Sequence, residues 1–265
     1  MNHLFNFHTI YTKLDPKSKT LIVTLNKAQN QNLINLEMLF ELETCLSWAY
    51  SKVEIKSILI NSSSEIFSQG LSKASIKAMD AKKIKTIQDR VLQVQKLILS
   101  SPQTVVFDLG KGASNVALEL SFAADICISQ FDAEFYLDNL ELGIPLMHFS
   151  RISTQKWGSQ FLRNCLFVQK NCVNFLRENG VLLDCYFDQS TSLINEILQK
   201  VNLQSSFTKT QSKAMLNYPI LRSIDADFEQ ERKFHNATLS IQDWKKDIYN
   251  TPTKAKSQIK LTLVK

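Results

Sequence analysis

Residues 109 to 129 read LGKGASNVALELSFAADICIS. A turn carrying Gly110 and Gly112 leads into a short helical stretch at 116 to 124, and DICIS at 125 to 129 reads as a strand. Working back toward the N-terminus, TVVFD at 104 to 108 is a strand, and Ile87, Val91, Val94, Leu97 and Ile98 mark one apolar face of a helix before it. KSILI at 56 to 60 and TLIVTL at 20 to 25 are two further β-branched runs, with a helix between them from Leu36 to Trp48 that aligns Leu39, Leu42 and Leu46. The order β-α-β-α-β-α-β predicts an α/β fold whose parallel strands are joined by right-handed crossovers.

Outward in the other direction the strand signals fade after about residue 150. Leu193, Ile194, Ile197, Leu198 and Val201 recur at helical spacing, further helices fit 207 to 217 and 226 to 236, and Asn179-Gly180 turns the chain into a short buried run, VLLD. No linker rich in Pro, Gly or Ser interrupts the chain, so one domain over residues 1 to 265 is expected, with a core to about 190 and a mostly helical region from about 191.

The 265 residues are 44% hydrophobic and 21% charged with no low-complexity run, which excludes a disordered or fibrous chain. Glycine is scarce: six residues, against about 7% of an average protein. The five cysteines include no C-x-x-C pair, which argues for reduced, mostly buried thiols and against a disulfide framework or a zinc site; no metal is expected. The net charge of +6 is spread along the chain, with modest clusters at Lys82, Lys83 and Lys85 and in the C-terminal KAKSQIKLTLVK, and no aromatic-basic interleaving accompanies it. Solvated lysines explain it better than a nucleic-acid stripe. With no secretory leader pattern and no membrane-length apolar stretch, a cytoplasmic protein with neither a nucleic-acid nor a membrane partner is expected.

Four segments in order resemble the crotonase superfamily of enoyl-CoA hydratases and isomerases. VTLNKAQNQNLINLEML is similar to its opening strand and Asn-rich turn into the first helix. IFSQGLSKASI resembles F-S-x-G-x-D, with Phe67, Ser68 and Gly70 in place and Ser72 where Asp is common. The opening stretch resembles G-G-G-x-E followed by an acidic residue, with Asn115, Val116 and Ala117 in place of the glycines and the spacing of Glu119 to Asp125 kept. AEFYLDNLELGIPL is similar to A-x-F-x-x-P-E-x-x-L-G-x-x-P, with Ala133, Phe135, Leu142, Gly143 and Pro145 matching and Asn139 at the position of a catalytic Glu.

The resemblance implies a crotonase-like spiral of repeated ββα and βαβ units with a helical C-terminal region that builds a homotrimer or a dimer of trimers. It implies an acyl-CoA or acyl-carrier thioester as substrate, with no separate cofactor. The family's shared device is a pair of backbone N–H groups that hold the thioester carbonyl as it becomes an enolate; here they would be those of Leu71 and Val116. Ser68 and Gly70 would belong to the substrate-binding loop, and Lys27 and Lys73 could meet coenzyme A phosphates, although an ordinary surface lysine is the better reading for either.

Two conformations are open for the turn that lost its glycines. If it needs positive φ or close contact with ligand, Val116 and Ala117 distort or fill it; if it is ordinary right-handed helix, they only narrow it. Glu119, amid apolar neighbours, is expected to face the pocket as acid or base rather than solvent. Asn139 hydrogen-bonds but exchanges no proton at neutral pH. Asp138, Glu141 and His148 are the nearest substitutes for the absent carboxylate, each more simply read as surface or packing, and Phe135 and Trp157 are read as core. No P-loop and no G-x-S-x-G elbow occurs. The expectation is an enolate-stabilising lyase or isomerase that is a poor hydratase, or a catalytically silent member of the fold kept as a subunit or scaffold.

Overall fold

The structure, a computed structural model, describes residues 4–147, 149–168 and 172–240. Its strands are β1 (Ile10–Asp15), β2 (Thr20–Leu25), β3 (Ser57–Ser62), β4 (Thr104–Asp108), β5 (Gly112–Ser114), β6 (Ile126–Gln130), β7 (Glu134–Tyr136) and β8 (Asp184–Tyr186). Its helices are α1 (Leu36–Tyr50), α2 (Lys73–Ala78), α3 (Ala81–Ser100), α4 (Asn115–Ser121), α5 (Phe149–Trp157), α6 (Ser159–Phe167), α7 (Val173–Glu178), α8 (Thr191–Leu203), α9 (Ser206–Leu221) and α10 (Ile224–Ser240).

One sheet runs β1-β2-β3-β4-β6-β8, and β2, β3, β4, β6 and β8 pair in parallel. Strand alternation decides which side chain meets which layer. Leu21, Val23, Ile58, Ile60, Val105 and Phe107 join the main core that holds the apolar faces of α1 and α3. Leu59, Val106 and Ile128 point the other way, against Ile194, Ile197, Leu198 and Val201 of α8. Both faces are covered, which is why these strands read as near-continuous apolar runs. Each such side chain, once buried, contributes about 1.5–3 kcal/mol. The helices between β2 and β4 start on side-chain caps: Asn35 accepts from Met38 N, Ser72 from Ser75 N and Asp80 from Lys83 N.

The structure corrects the sequence reading in several places. β1 was not expected; it pairs antiparallel to β2 at the sheet edge, where its half-polar sequence IYTKLD suits a strand with one open side. The buried carboxylate of Glu41 fixes its entry by accepting from His8 N at 2.7 Å and Thr9 N at 2.8 Å. The predicted helix at 116–124 is Asn115–Ser121, and Phe122–Ala124 turn out of it. After Gly180, Val181 and Leu182 are buried, but pairing with β6 begins only at Asp184, so VLLD is the approach to a strand rather than the strand. The C-terminal third is helical as expected through α10; the C-terminal basic run lies outside the described residues.

A second, two-stranded sheet joins β5 to β7 in parallel. Gly112 permits it: at φ 135° a Cβ there would lie 1.9 Å from Glu134 O. This short pairing sets the loop that follows β7, with Asp138 and Asn139, beside the start of α4. No helix among the described residues is long and apolar enough to cross a membrane.

Candidate active site

The loop 66–71 is held from both sides. Phe67 N donates to Gly112 O at 2.9 Å, Ser114 N to Ser68 O at 3.1 Å, and Ile34 N to Gly70 O at 2.8 Å. Ser68 is fully buried; its hydroxyl donates to Asn32 O at 2.6 Å and accepts from Gly70 N at 2.9 Å. It shapes the turn. Gly70, at φ 64°, faces the start of α4 so closely that a Cβ would meet Asn115 Oδ1 at 2.0 Å and Ser114 O at 2.4 Å.

The two backbone donors that the sequence nominates do converge on one point. Leu71 N and Val116 N each lie 2.7 Å from a single acceptor, and that acceptor is the side-chain carbonyl oxygen of Asn115. The same amide is anchored at its nitrogen, which donates to Leu71 O at 3.2 Å and Asp138 Oδ1 at 3.1 Å. Of the three residues that replace glycines, only Asn115 has positive φ, at 36°. Asn tolerates that region because its short polar side chain bonds locally. Val116 and Ala117 are ordinary helix, so of the two readings the second holds for them.

Glu119 lies one turn further along α4 and is fully buried. Its Oε1 accepts from Asn139 Nδ2 at 2.7 Å and its Oε2 from Met147 N at 2.5 Å. Burial pushes its carboxyl up to about 8, further raised by the charges of Glu231 and Asp138, while the bonds from Asn139 and Met147 N pull the other way. Asn139 is equally buried, and its Oδ1 has no hydrogen-bond partner in the described structure. Glu231 belongs to α10, which is tied to α5 by the Arg151–Asp227 ion pair at 3.1 Å and by Ser150 with Glu231. The C-terminal helix thus brings its own charge near the site.

The remaining expectations divide. Lys73 opens α2 two residues after Leu71, and Lys27 lies half-buried in the β2–α1 loop, where its backbone N–H donates to Asn32 Oδ1 at 2.7 Å. Asp138 is bound to Asn115 and Glu141 stays partly exposed, while His148 lies outside the described residues. Phe135 is core, and half-buried Trp157 packs edge-on to Phe122. Asp125 faces the other end of α4, where it accepts from Val105 N and Lys213 Nζ, each at 2.7 Å. Four of the five cysteines are buried.

The enoyl-CoA hydratase/isomerase family model matches residues 16–259. The chain belongs to that family. Among solved structures, this enoyl-CoA hydratase/isomerase family member superposes on an enoyl-CoA hydratase from Bacillus halodurans with a TM-score of 0.84 at 17% identity, over 92% of this chain and 100% of the other. An enoyl-CoA hydratase from Mycobacterium avium subsp. paratuberculosis K-10 gives 0.81 at 16%, over 93% and 100%. An enoyl-CoA hydratase/isomerase from Pseudoalteromonas atlantica T6c gives 0.78 at 16%, over 91% and 96%. At such identities the likeness is one of fold.

Sequence reasoning placed Glu119, Asn139, Leu71 and Val116 in one neighbourhood, and the structure brings all four there. It missed the occupant of the donor pair. Asn115 was visible as a lost glycine, and the available signal was that Asn combines tolerance of positive φ with a carbonyl of its own.

Proposed function

We propose that this chain is a catalytically silent enoyl-CoA hydratase/isomerase homologue that acts as a subunit or scaffold. The observation that carries this reading is Asn115 Oδ1 at 2.7 Å from both Leu71 N and Val116 N: the point where a thioester carbonyl would gain charge holds the chain's own amide oxygen. Asn139 adds to it, because hydration needs a second proton-exchanging group and an amide supplies none. Exposed Phe207, Met215, Leu216 and Tyr218 on α9 offer apolar contact area for assembly, for which a homotrimer or a dimer of trimers is the proposed form. The five cysteines form no disulfide, which suits a reducing compartment such as the cytoplasm.

One observation favours a second reading, an isomerase-like enzyme that works after Asn115 swings out: a buried carboxyl raised to about 8 is suited to exchange protons near neutral pH. Acyl-CoA binding and crotonyl-CoA hydration separate the two. The silent reading expects no thermal shift from free coenzyme A or a panel of acyl-CoAs, and no hydration. In Asn115→Gly the loss of two bonds to buried donors costs about 1–2 kcal/mol, and an acyl-CoA at a hundredfold excess over Kd then returns ~2.7 kcal/mol. Asn115→Gly with Asn139→Glu is expected to gain hydration, on the order of 10² over Asn115→Gly alone. An acyl-CoA shift or turnover in the unmodified chain would overturn the silent reading in favour of the enzyme, and a monomer by light scattering would remove the proposed assembly.

A further inference from the structure

Among the described residues β8 is the last strand of the six-stranded sheet, with no strand on its outer side. The opposite edge is guarded: β1 exposes Lys13 in mid-strand and runs into Asp15 and Pro16, and charge and proline discourage a further strand. The β8 edge, VLLDCYFDQS at 181–190, has neither lysine nor proline. Leu183 and Phe187 flank the strand at 58% and 78% exposure, and the ring of Phe187 packs 4.5 Å from that of Phe131, itself partly exposed. Single apolar residues on a surface are ordinary, but three gathered at an open sheet edge are a template for pairing.

The backbone presents a free side. Phe131 N donates to Tyr186 O at 3.0 Å, so Tyr186 faces β6. Strand alternation turns the N–H and C=O of Cys185 outward, and that N–H donates to Asp184 Oδ1 at 2.8 Å, a side chain standing where a strand would. Alternation also puts Leu183, Cys185 and Phe187 on one face of the sheet and Asp184 and Tyr186 on the other. An antiparallel copy of the same segment, turned about a twofold axis at Cys185, sets Leu183 opposite the copy's Phe187 and Phe187 opposite its Leu183. Asp184 then falls opposite Tyr186. Moving the axis to Asp184 sets Asp184 against Asp184, and moving it to Tyr186 sets Asp184 against Asp188, so like charges disfavour both neighbouring registers. The edge is therefore complementary to itself, as a twofold contact requires.

We propose that the outer edge of β8 is a twofold contact with a second copy of this chain, joining two six-stranded sheets across Cys185. The Cys185 N–H exchanges Asp184 Oδ1 for the carbonyl of the copy's Cys185, and the released carboxylate keeps Arg177 beside it, 3.6 Å away. The contact is separate from the apolar face of α9. A threefold contact there and a twofold contact here close as a dimer of trimers, and the twofold contact needs neither Asn115 nor any ligand.

The test is the mass of the full chain in solution by light scattering, alone and with Phe187→Asp or Leu183→Lys, two changes at exposed positions whose folding is followed by circular dichroism. Each is expected to halve the mass: from six chains to three where the α9 contact also forms, and from two to one where it does not. Loss of the α9 assembly and loss of the β8 contact therefore read differently. Register is tested in Cys172→Ser, which removes the exposed thiol. Copper–phenanthroline oxidation is expected to link Cys185 of two chains, because a directly opposed, hydrogen-bonded antiparallel pair lies about 5.5 Å apart at Cα, within disulfide reach. Adding Phe187→Asp should abolish that link. An unmodified chain with the mass of a trimer or a monomer would overturn the proposal, as would a mass unchanged in both folded variants. Oxidation that leaves Cys185 unlinked in a folded dimer or hexamer would overturn the register.

Discussion

Gly70 and Asn115 stand face to face, both at positive φ, 64° and 36°, yet one keeps glycine and the other does not. In the Gly70 turn the missing Cβ leaves room for whatever lies opposite. In the Asn115 turn the added side chain takes that room, and its carbonyl oxygen lies 2.7 Å from the two N–H groups the turns present. Two N–H groups that converge on one point are satisfied from within the chain. The same backbone geometry, with donors preorganised at two chain segments 45 residues apart in numbering, therefore serves cohesion between the turns here.

The comparison can be broken most severely at Gly70. Gly70→Ala places a methyl 2.0 Å from Asn115 Oδ1 and 2.4 Å from Ser114 O, at a φ that favours glycine, and is expected to cost about 3 kcal/mol or more in a urea titration. Combining it with Asn115→Ala should recover only part of that loss, because Ser114 O is backbone and stays. Full recovery would show that the Asn115 side chain alone makes the turn tight.

Glu119 sharpens the comparison through pH. Its folded value is raised to about 8 from 4.5, so below pH 4.5 both folded and unfolded chains carry the proton. As pH rises from there the unfolded chain releases it while the folded chain retains it, and stability falls until the folded group also ionises near 8. Between about pH 5 and about pH 8 the loss from this group is on the order of 3 kcal/mol, and Glu119→Gln should flatten that part of the profile. An unchanged slope in Glu119→Gln would mean that the carboxylate is already ionised in the folded chain.

The smallest effect is expected at Ala117. It is ordinary buried helix, so restoring glycine there costs about 1 kcal/mol of helix propensity and should give no acyl-CoA response, unlike Asn115→Gly. A ligand response from Ala117→Gly, read as a rise in melting temperature, would locate the obstruction in the helix rather than in the amide.

Much of the molecule was legible in the residues. Apolar runs such as TLIVTL and TVVFD, separated by helical periodicity, gave four strands whose pairing is parallel, since runs buried on both faces leave little else for the chain to do. β1, β5 and β7 were not legible: an edge strand needs only a half-apolar pattern, and three-residue strands are fixed by pairing rather than by propensity.

The site divides in the same way. The sequence by itself determined which residues approach one another, because the resemblance of its segments to the crotonase superfamily assigns Leu71, Val116, Glu119 and Asn139 to one site. It also determined that one of two carboxylate positions carries an amide. Only the tertiary structure decided what fills the space they enclose. Whether Asn115 turns its carbonyl inward depends on a positive φ, on the absent Cβ of Gly70 and on Asp138 anchoring its nitrogen, contributions from three segments far apart in sequence.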